Sequence, residues 1–270
     1  MKIGVTTAIQ ASQQVIERAQ KVSRDLQRPY YERKKLGLNK LLALHDLDHL
    51  LIVQESKLLL KSGDSEMFWH PGTAVIKLWD TGSGISNQLL KAVCPQADDV
   101  ILDCTLGYGS DAIVLASALR GRGRVIGLEG SEIIAYLTKD GLENYENVNP
   151  KVKEAMSKIE VIHTDHASYL KTLDDESVDI VYFDPMFQNP NMKSKSMNVL
   201  REFAKMNTLN KDTLDEALRV CKKRVIVKER IGSGVFKTLG IENRVGEIRY
   251  GSVVYGVIHK NTECTENYTI

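Results

Sequence analysis

The sequence predicts a doubly wound α/β fold, with a mostly parallel sheet covered by helices on both faces, closed along one edge by an antiparallel hairpin and preceded by a small helical and hairpin region. Three observations lead there. From Asp99 onward, short apolar runs rich in β-branched residues alternate with helical segments. The runs are continuous rather than alternating, as parallel strands buried on both faces require. A glycine turn, Gly107-Tyr108-Gly109-Ser110, joins the first run to the helix that follows it. The tail departs from the pattern, because Arg244–Tyr250 and Ser252–His259 are two strand-like runs meeting at Tyr250-Gly251, the mark of a hairpin.

Taken in order, residues 13–27 place Val15, Ile16, Ala19, Val22 and Leu26 at helical spacing, with Arg18, Lys21, Arg24 and Arg28 elsewhere on the surface. A second helix is expected near Leu38–Leu47 and a short hairpin from Leu50–Val53 and Leu58–Leu60. Met67–Pro71 then leads into another helix, since proline suits a first turn. The texture changes near Pro95, which predicts a basic N-terminal domain over 1–94 and an α/β domain over 95–270. In the second part, strands are expected at Val100–Leu102, Val125–Ile126, Val161–Ile162, Val178–Phe183 and Val225–Val227, with helices near 111–120, 131–140, 196–207 and 212–220.

Composition narrows the function classes. Lys and Arg number 36 against 35 Asp and Glu, so no global field recruits a polyanion and any nucleic-acid contact must be local. A hydrophobic fraction of 43% with 26% charged residues is that of an ordinary globular protein, not a disordered or fibrous one. Cys94, Cys104, Cys221 and Cys264 form no C-x-x-C pair, which disfavours zinc and disulfide frameworks and fits a reducing cytoplasm. MKIGVTTAIQ has no unbroken apolar stretch, and no run approaches the roughly 20 apolar residues of a membrane span. No membrane partner is expected.

The residues that carry chemistry sit at predicted strand ends. Strand one ends in Asp103, and Gly107 and Gly109 let the backbone turn and approach a ligand while Ser110 and Asp111 open the next helix. Strand two ends in Glu129, 20 residues beyond Gly109, where a carboxylate accepts hydrogen bonds from both hydroxyls of a ribose. This predicts an adenosine-containing cofactor, and the loop satisfies nicotinamide and S-adenosylmethionine patterns alike. Strand three ends in His163-Thr164-Asp165-His166, where a carboxylate suits the adenine amine. Strand four ends in Asp184-Pro185-Met186-Phe187, bringing together a carboxylate, a backbone carbonyl and an aromatic ring. Methylating an exocyclic base amine needs those groups. The nitrogen lone pair is delocalised into the ring until acceptors such as Asp184 and the Pro185 carbonyl favour pyramidalisation, and Phe187 would stack on the base.

On these residues, the stretch from Asp99 to His259 resembles a class I S-adenosylmethionine-dependent methyltransferase, and DPMF resembles the D/N-P-P-Y/F motif of amino-methyltransferases. With the D-x-T-L-G-x-G-x-D loop it is similar to the small-subunit ribosomal RNA guanine-N2 methyltransferases, especially their Gram-positive branch, as are VTT at 5–7, RKK at 33–35 and FWHPG at 68–72. The resemblance implies a seven-stranded sheet of order 3-2-1-4-5-7-6 and S-adenosylmethionine as cofactor. It also implies cofactor contacts at Ser110-Asp111, Glu129, Asp165-His166 and Asp184, and ribosomal RNA or the small ribosomal subunit as partner. Asp165-His166 stands where the family has two small polar residues, and Gln188 where it often has proline.

Plainer readings accompany each feature. Asp103 also suits a turn cap, Asp184 a strand-ending turn and Glu129 a solvated carboxylate. His45 and His49, at i and i+4 beside Asp46 and Asp48, read as a polar helix face rather than a metal site. Residues 17–40 carry eight basic and three acidic side chains, a local charge of 8 − 3 = +5, and the Tyr30-Tyr31-Glu32-Arg33-Lys34-Lys35 mixture favours RNA contacts by Arg33, Lys34 and Lys35 over a merely solvated face. An NAD-dependent oxidoreductase, a methyltransferase acting on DNA or a small molecule, and an inactive RNA-binding module remain the alternatives.

Overall fold

The computed structural model describes residues 1–72, 74–75, 88–185, 202–203, 209–246 and 253–260. These divide into two compact units. One holds Met1–His70, Ser131–Asn147 and 202–203, and the other holds the remaining described residues from 71 onward.

The first unit is built on a four-stranded sheet, β1 (Ile3–Thr7), β2 (His49–Val53), β3 (Leu58–Ser62) and β4 (Ser65–Phe68), in that order. β1 pairs in parallel with β2, and β2, β3 and β4 form an antiparallel meander. The β2–β3 hairpin is the expected one. β1 was not expected, because five residues show too little alternation and their partner lies about 45 positions away, so the pairing has no local signal. The Gln13–Asp25 helix starts at Ser12, whose hydroxyl accepts from the Val15 amide, and it buries Val15, Ala19 and Val22 as its periodicity demands.

The second helix stops at Leu44, so the expected polar face with His45 and His49 does not form. His45 instead stacks on Tyr31 with ring centroids 3.9 Å apart, and His49 is buried in β2. The physical reason is the turn at Asp46, whose φ of 52° no continuing helix tolerates.

The Glu132–Asn144 helix belongs to this unit and supplies acids to it. Arg18 Nη2 donates to both Asp140 carboxylate oxygens, at 2.7 and 2.8 Å, and Arg28 Nη2 donates to Glu132 at 2.7 Å. Lys21 pairs with Asp25 one turn on. Much of the positive charge concentrated in 17–40 therefore has carboxylate partners, two of them far away in sequence.

The second unit is a seven-stranded sheet of order β10-β11-β9-β8-β5-β6-β7. Its strands are β5 (Val100–Asp103), β6 (Arg124–Glu129), β7 (Ile159–His163), β8 (Val178–Phe183), β9 (Cys221–Arg230), β10 (Arg244–Val245) and β11 (Val253–His259). Counted from β5 this is 3-2-1-4-5-7-6, the expected order. β5 to β9 run parallel, and β11 is antiparallel to both β9 and β10. The expected hairpin turn at Tyr250-Gly251 and most of the expected 196–207 helix lie outside the described residues. The core is the apolar interior of these strands, with Leu102, Val181, Phe183, Val225 and Val227 packed against Leu214, Ala217 and Phe236. Cys94, Cys104 and Cys221 are free thiols, and Cys264 lies outside the described residues.

In the first unit, Gly141 lies under the Trp69 indole, where a Cβ would come within 2.2 Å of a ring carbon. Gly141→Ala should therefore lower the unfolding free energy by about 1–3 kcal/mol, the usual cost of overpacking, despite alanine's better helix propensity. Urea unfolding checks this, and an alanine variant as stable as the wild type would show that the indole moves freely.

Candidate functional site

The parallel strands β5, β6, β7 and β8 end side by side, and their carboxyl ends are where an open α/β sheet leaves a crevice. The residues predicted from sequence gather there. After β5 the chain turns through Gly107 (φ 52°) and Gly109 (φ 72°), a left-handed conformation that disfavours side chains, and enters the Ser110–Ala118 helix. Among the described residues, a Cβ at Gly107 would meet no atom closer than the Thr105 carbonyl at 4.0 Å.

Hydrogen bonds to the two neighbouring strands, β6 and β8, hold the loop in place. The Leu106 amide donates to the Leu128 carbonyl at 3.0 Å, the Gly107 amide to Glu129 Oε2 at 3.0 Å, and the Cys104 amide to the Tyr182 carbonyl at 2.9 Å. Asp103 Oδ1 accepts from the Thr105 amide at 3.0 Å, and the Thr105 hydroxyl accepts from the Asp184 amide at 2.5 Å. Asp103 thus holds the loop from inside. It is 2% exposed, and burial pushes its carboxyl up to about 8, helped by the nearby Asp111 and Asp184 and opposed by the Thr105 amide.

At the edge of this loop lies an ion-paired cluster. Lys228, near the end of β9, donates to Asp111 Oδ2 at 2.7 Å and to Asp184 Oδ2 at 2.6 Å. The Tyr182 hydroxyl donates to the same Asp111 oxygen at 2.7 Å. Burial pulls the Lys228 ammonium down, but Asp111 and Asp184 outweigh it and hold the lysine well above its ordinary value, so it stays charged. Burial and the acids around them raise the Tyr182 and Tyr255 phenols, which stay neutral. Two carboxylates against one ammonium leave a formal charge of −1.

The third strand end leads directly into a short helix. Asp165 Oδ1 caps the His166–Leu170 helix by accepting from the Ser168 amide at 2.9 Å. The His166 ring turns inward, edge-on to Phe183 at 5.7 Å, and burial holds its imidazole below the ordinary value despite Asp165 and the Cys104 carbonyl. The structure thus brings together Asp103, the glycine loop, Asp111, Glu129 and Asp184, with Pro185 directly after Asp184. Met186, Phe187 and Gln188 lie outside the described residues.

Arg33 sits in the other unit. Its Nε donates to the Leu36 carbonyl at 2.8 Å and its Nη1 to the Thr7 carbonyl at 3.3 Å, so this arginine staples its own turn. Lys34 and Lys35 are exposed. Lys228, Tyr182 and Thr105 are site residues the sequence reading missed. For Lys228 a signal existed, a lysine directly following Val225-Ile226-Val227 in a strand buried on both faces.

Among the described residues, no group of His, Cys, Asp and Glu is arranged to hold a metal ion, and no helix is long and apolar enough to cross a membrane.

Comparison with known proteins places this geometry in context. A family model described as SAM-dependent methyltransferase matches residues 40–237. The chain is 34% identical over 254 residues to an uncharacterized protein, YpiP, of Bacillus subtilis, covering 94% of this chain and 98% of that one. It is 31% identical over 195 residues to ribosomal RNA small subunit methyltransferase J of Coxiella burnetii, covering 68% and 73% respectively. Among solved structures, the SAM-dependent methyltransferase NGO1261 of Neisseria gonorrhoeae superposes with a TM-score of 0.64 at 20% identity over 96% of both chains, a likeness that bears on the fold.

The raised Asp103 carboxyl has a stability consequence. Between the ordinary carboxyl range near pH 4 and the folded value of about 8, the folded chain keeps a proton that the unfolded chain has lost, so folding stability falls as pH rises through that window. Asp103→Asn keeps the acceptor oxygen for Thr105 and removes the titration. Its stability relative to the wild type should therefore improve from pH 5 to pH 8, by at most about 1.4 kcal/mol per pH unit. Urea unfolding of the ligand-free protein at several pH values measures this; parallel profiles would mean Asp103 is ionised when folded.

Proposed function

The chain belongs to the SAM-dependent methyltransferases, and from that premise we propose that it methylates an exocyclic base amine, guanine N2 of small-subunit ribosomal RNA. Family membership decides between the two cofactors the glycine loop allowed, in favour of S-adenosylmethionine. The observation that carries the proposed chemistry is Asp184 at the end of β8, its carboxylate held by Lys228 and its amide by Thr105, with the Pro185 carbonyl following directly. The RNA part of the reading is supported by relatives named ribosomal RNA small subunit methyltransferase J.

The residues present fit the cofactor. Glu129 would receive the ribose hydroxyls and Asp165 the adenine amine, while the backbone from Gly107 to Ser110 would line the open loop beside the net negative cluster of Asp111, Lys228 and Asp184. Bound there, S-adenosylmethionine supplies an electrophilic methyl group on a cationic sulfonium. Asp184 and the Pro185 carbonyl would accept the two N–H bonds of the base amine, which frees the nitrogen lone pair and aims it. Phe187, from its position two residues on, would stack on a base that is single-stranded or flipped out, a contact worth about 1–3 kcal/mol. The methylated nitrogen is acidic and releases its extra proton to water, so no early general base is needed.

The catalytic reading is tested with an unmodified small-subunit ribosomal RNA transcript and labelled S-adenosylmethionine, followed by nucleoside analysis. The product expected is N2-methylguanosine. Asp184→Ala should abolish transfer in a folded protein, and Asp184→Asn should keep more activity because its amide oxygen still accepts one hydrogen bond. Wild-type turnover in the alanine variant would sink the reading, and methylation of DNA in place of RNA would move the substrate.

RNA contacts are assigned to Lys34 and Lys35 in the N-terminal unit, with Arg33 shaping the turn that displays them. Replacing both lysines by alanine should leave S-adenosylmethionine affinity unchanged and flatten the log–log salt dependence of RNA binding by about 0.7–0.9 per lost phosphate contact. An unchanged slope would make this cluster a solvated surface only.

A further inference from the structure

We infer that Lys228 is the positioning residue for Asp184, fixing its carboxylate and keeping it a pure hydrogen-bond acceptor toward the substrate amine; the inference rests on the reading of Asp184 given above. β8 and β9 run parallel with Phe183 opposite Val227, so the next residue on each strand, Asp184 and Lys228, come level at the carboxyl end. The ammonium is 13% exposed and lies within 2.7 Å of two carboxylate oxygens from different segments, Asp111 on the Ser110–Ala118 helix and Asp184 after β8.

A single-pair structural lysine would need only one of them. Here Asp111 already has a neutral partner in the Tyr182 hydroxyl. Lys228 therefore links that fixed, 8% exposed acid to Asp184, whose side chain is 29% exposed. Asp184 is then restrained at both ends, its amide on Thr105 and its carboxylate on Lys228.

The charge balance serves the same end. The groups facing Lys228 are Asp111, Asp184, the phenols of Tyr182 and Tyr255, and Asp103 beyond them. With Lys228 in place, the two carboxylates and the ammonium carry a formal charge of −1 together, which suits a cationic methyl donor. Without it, two carboxylates sharing one desolvated corner would repel, and one would take up a proton. A protonated Asp184 would present a donor to the amine and could no longer accept the N–H that the Pro185 carbonyl leaves to it.

The test compares the full-length wild type with Lys228→Met and Lys228→Arg, and with Asp184→Asn as the control for the underlying reading. On the unmodified ribosomal RNA transcript, Lys228→Met should lower kcat at least tenfold and move the acid limb of the kcat profile upward by about one pH unit. KM for S-adenosylmethionine should change less than threefold, and Lys228→Arg should recover part of the rate. Independently of activity, the Asp184 carboxyl ¹³C signal in the ligand-free protein should titrate at least one pH unit higher in Lys228→Met than in the wild type.

An unshifted Asp184 titration in a folded Lys228→Met protein overturns the inference, whatever its activity. If Asp184→Asn is as active as the wild type, the reading of Asp184 itself fails. If Asp184→Asn is impaired while Lys228→Met keeps wild-type kinetics and pH profile, only the role of Lys228 fails.

Discussion

The buried ammonium of Lys228 is the interaction on which the carboxyl end of the parallel strands depends. One side chain joins the helix after β5, through Asp111, to the turn after β8, through Asp184. Removing two carboxylates from water is costly, and a buried charge left without its partner typically destabilises by about 3–5 kcal/mol. The lysine makes the close approach of these acids tolerable, the Tyr182 hydroxyl also donates to Asp111, and the Asp184 amide donates to the Thr105 hydroxyl. Asp103, deeper still and without a cation in direct contact, resolves the same electrostatic problem by holding its proton up to about pH 8.

The glycine loop depends on the same corner. Its shape comes from two left-handed glycines, but its position comes from hydrogen bonds to β6 and β8 and from the Asp103–Thr105–Asp184 chain. Glu129 illustrates the economy of the arrangement, since the carboxylate proposed for the ribose already holds the Gly107 amide at 3.0 Å. A preformed loop of this kind limits the ordering entropy that a ligand must offset on binding.

The N-terminal unit shows how tertiary structure redistributes charge. Its local excess of positive residues looks like a footprint for a polyanion in one dimension. In three dimensions Arg18 and Arg28 meet Asp140 and Glu132, and Arg33 turns inward to backbone carbonyls. Lys34 and Lys35 stay exposed, at positive φ, on a turn shaped by Arg33.

What the sequence by itself determined is the order of the strands from Val100 onward, the helices after β5 and β6 and before β9, the glycine loop, and the placement of Asp103, Asp111, Glu129 and Asp184 at strand and helix ends. These follow from short-range signals, namely strand-length apolar runs, turn glycines and acids at their borders. What only the tertiary structure decided depends on partners distant in the chain. β1 pairs with a strand more than 40 residues away, Lys228 reaches across 117 residues to Asp111, and Asp140 neutralises Arg18 across 122. The His166 ring lies edge-on to Phe183 of the neighbouring β8, a contact that no pattern around position 166 records. A linear pattern records which side chains stand at an edge, but the packing of neighbouring strands decides which of them meet, and therefore which remain charged.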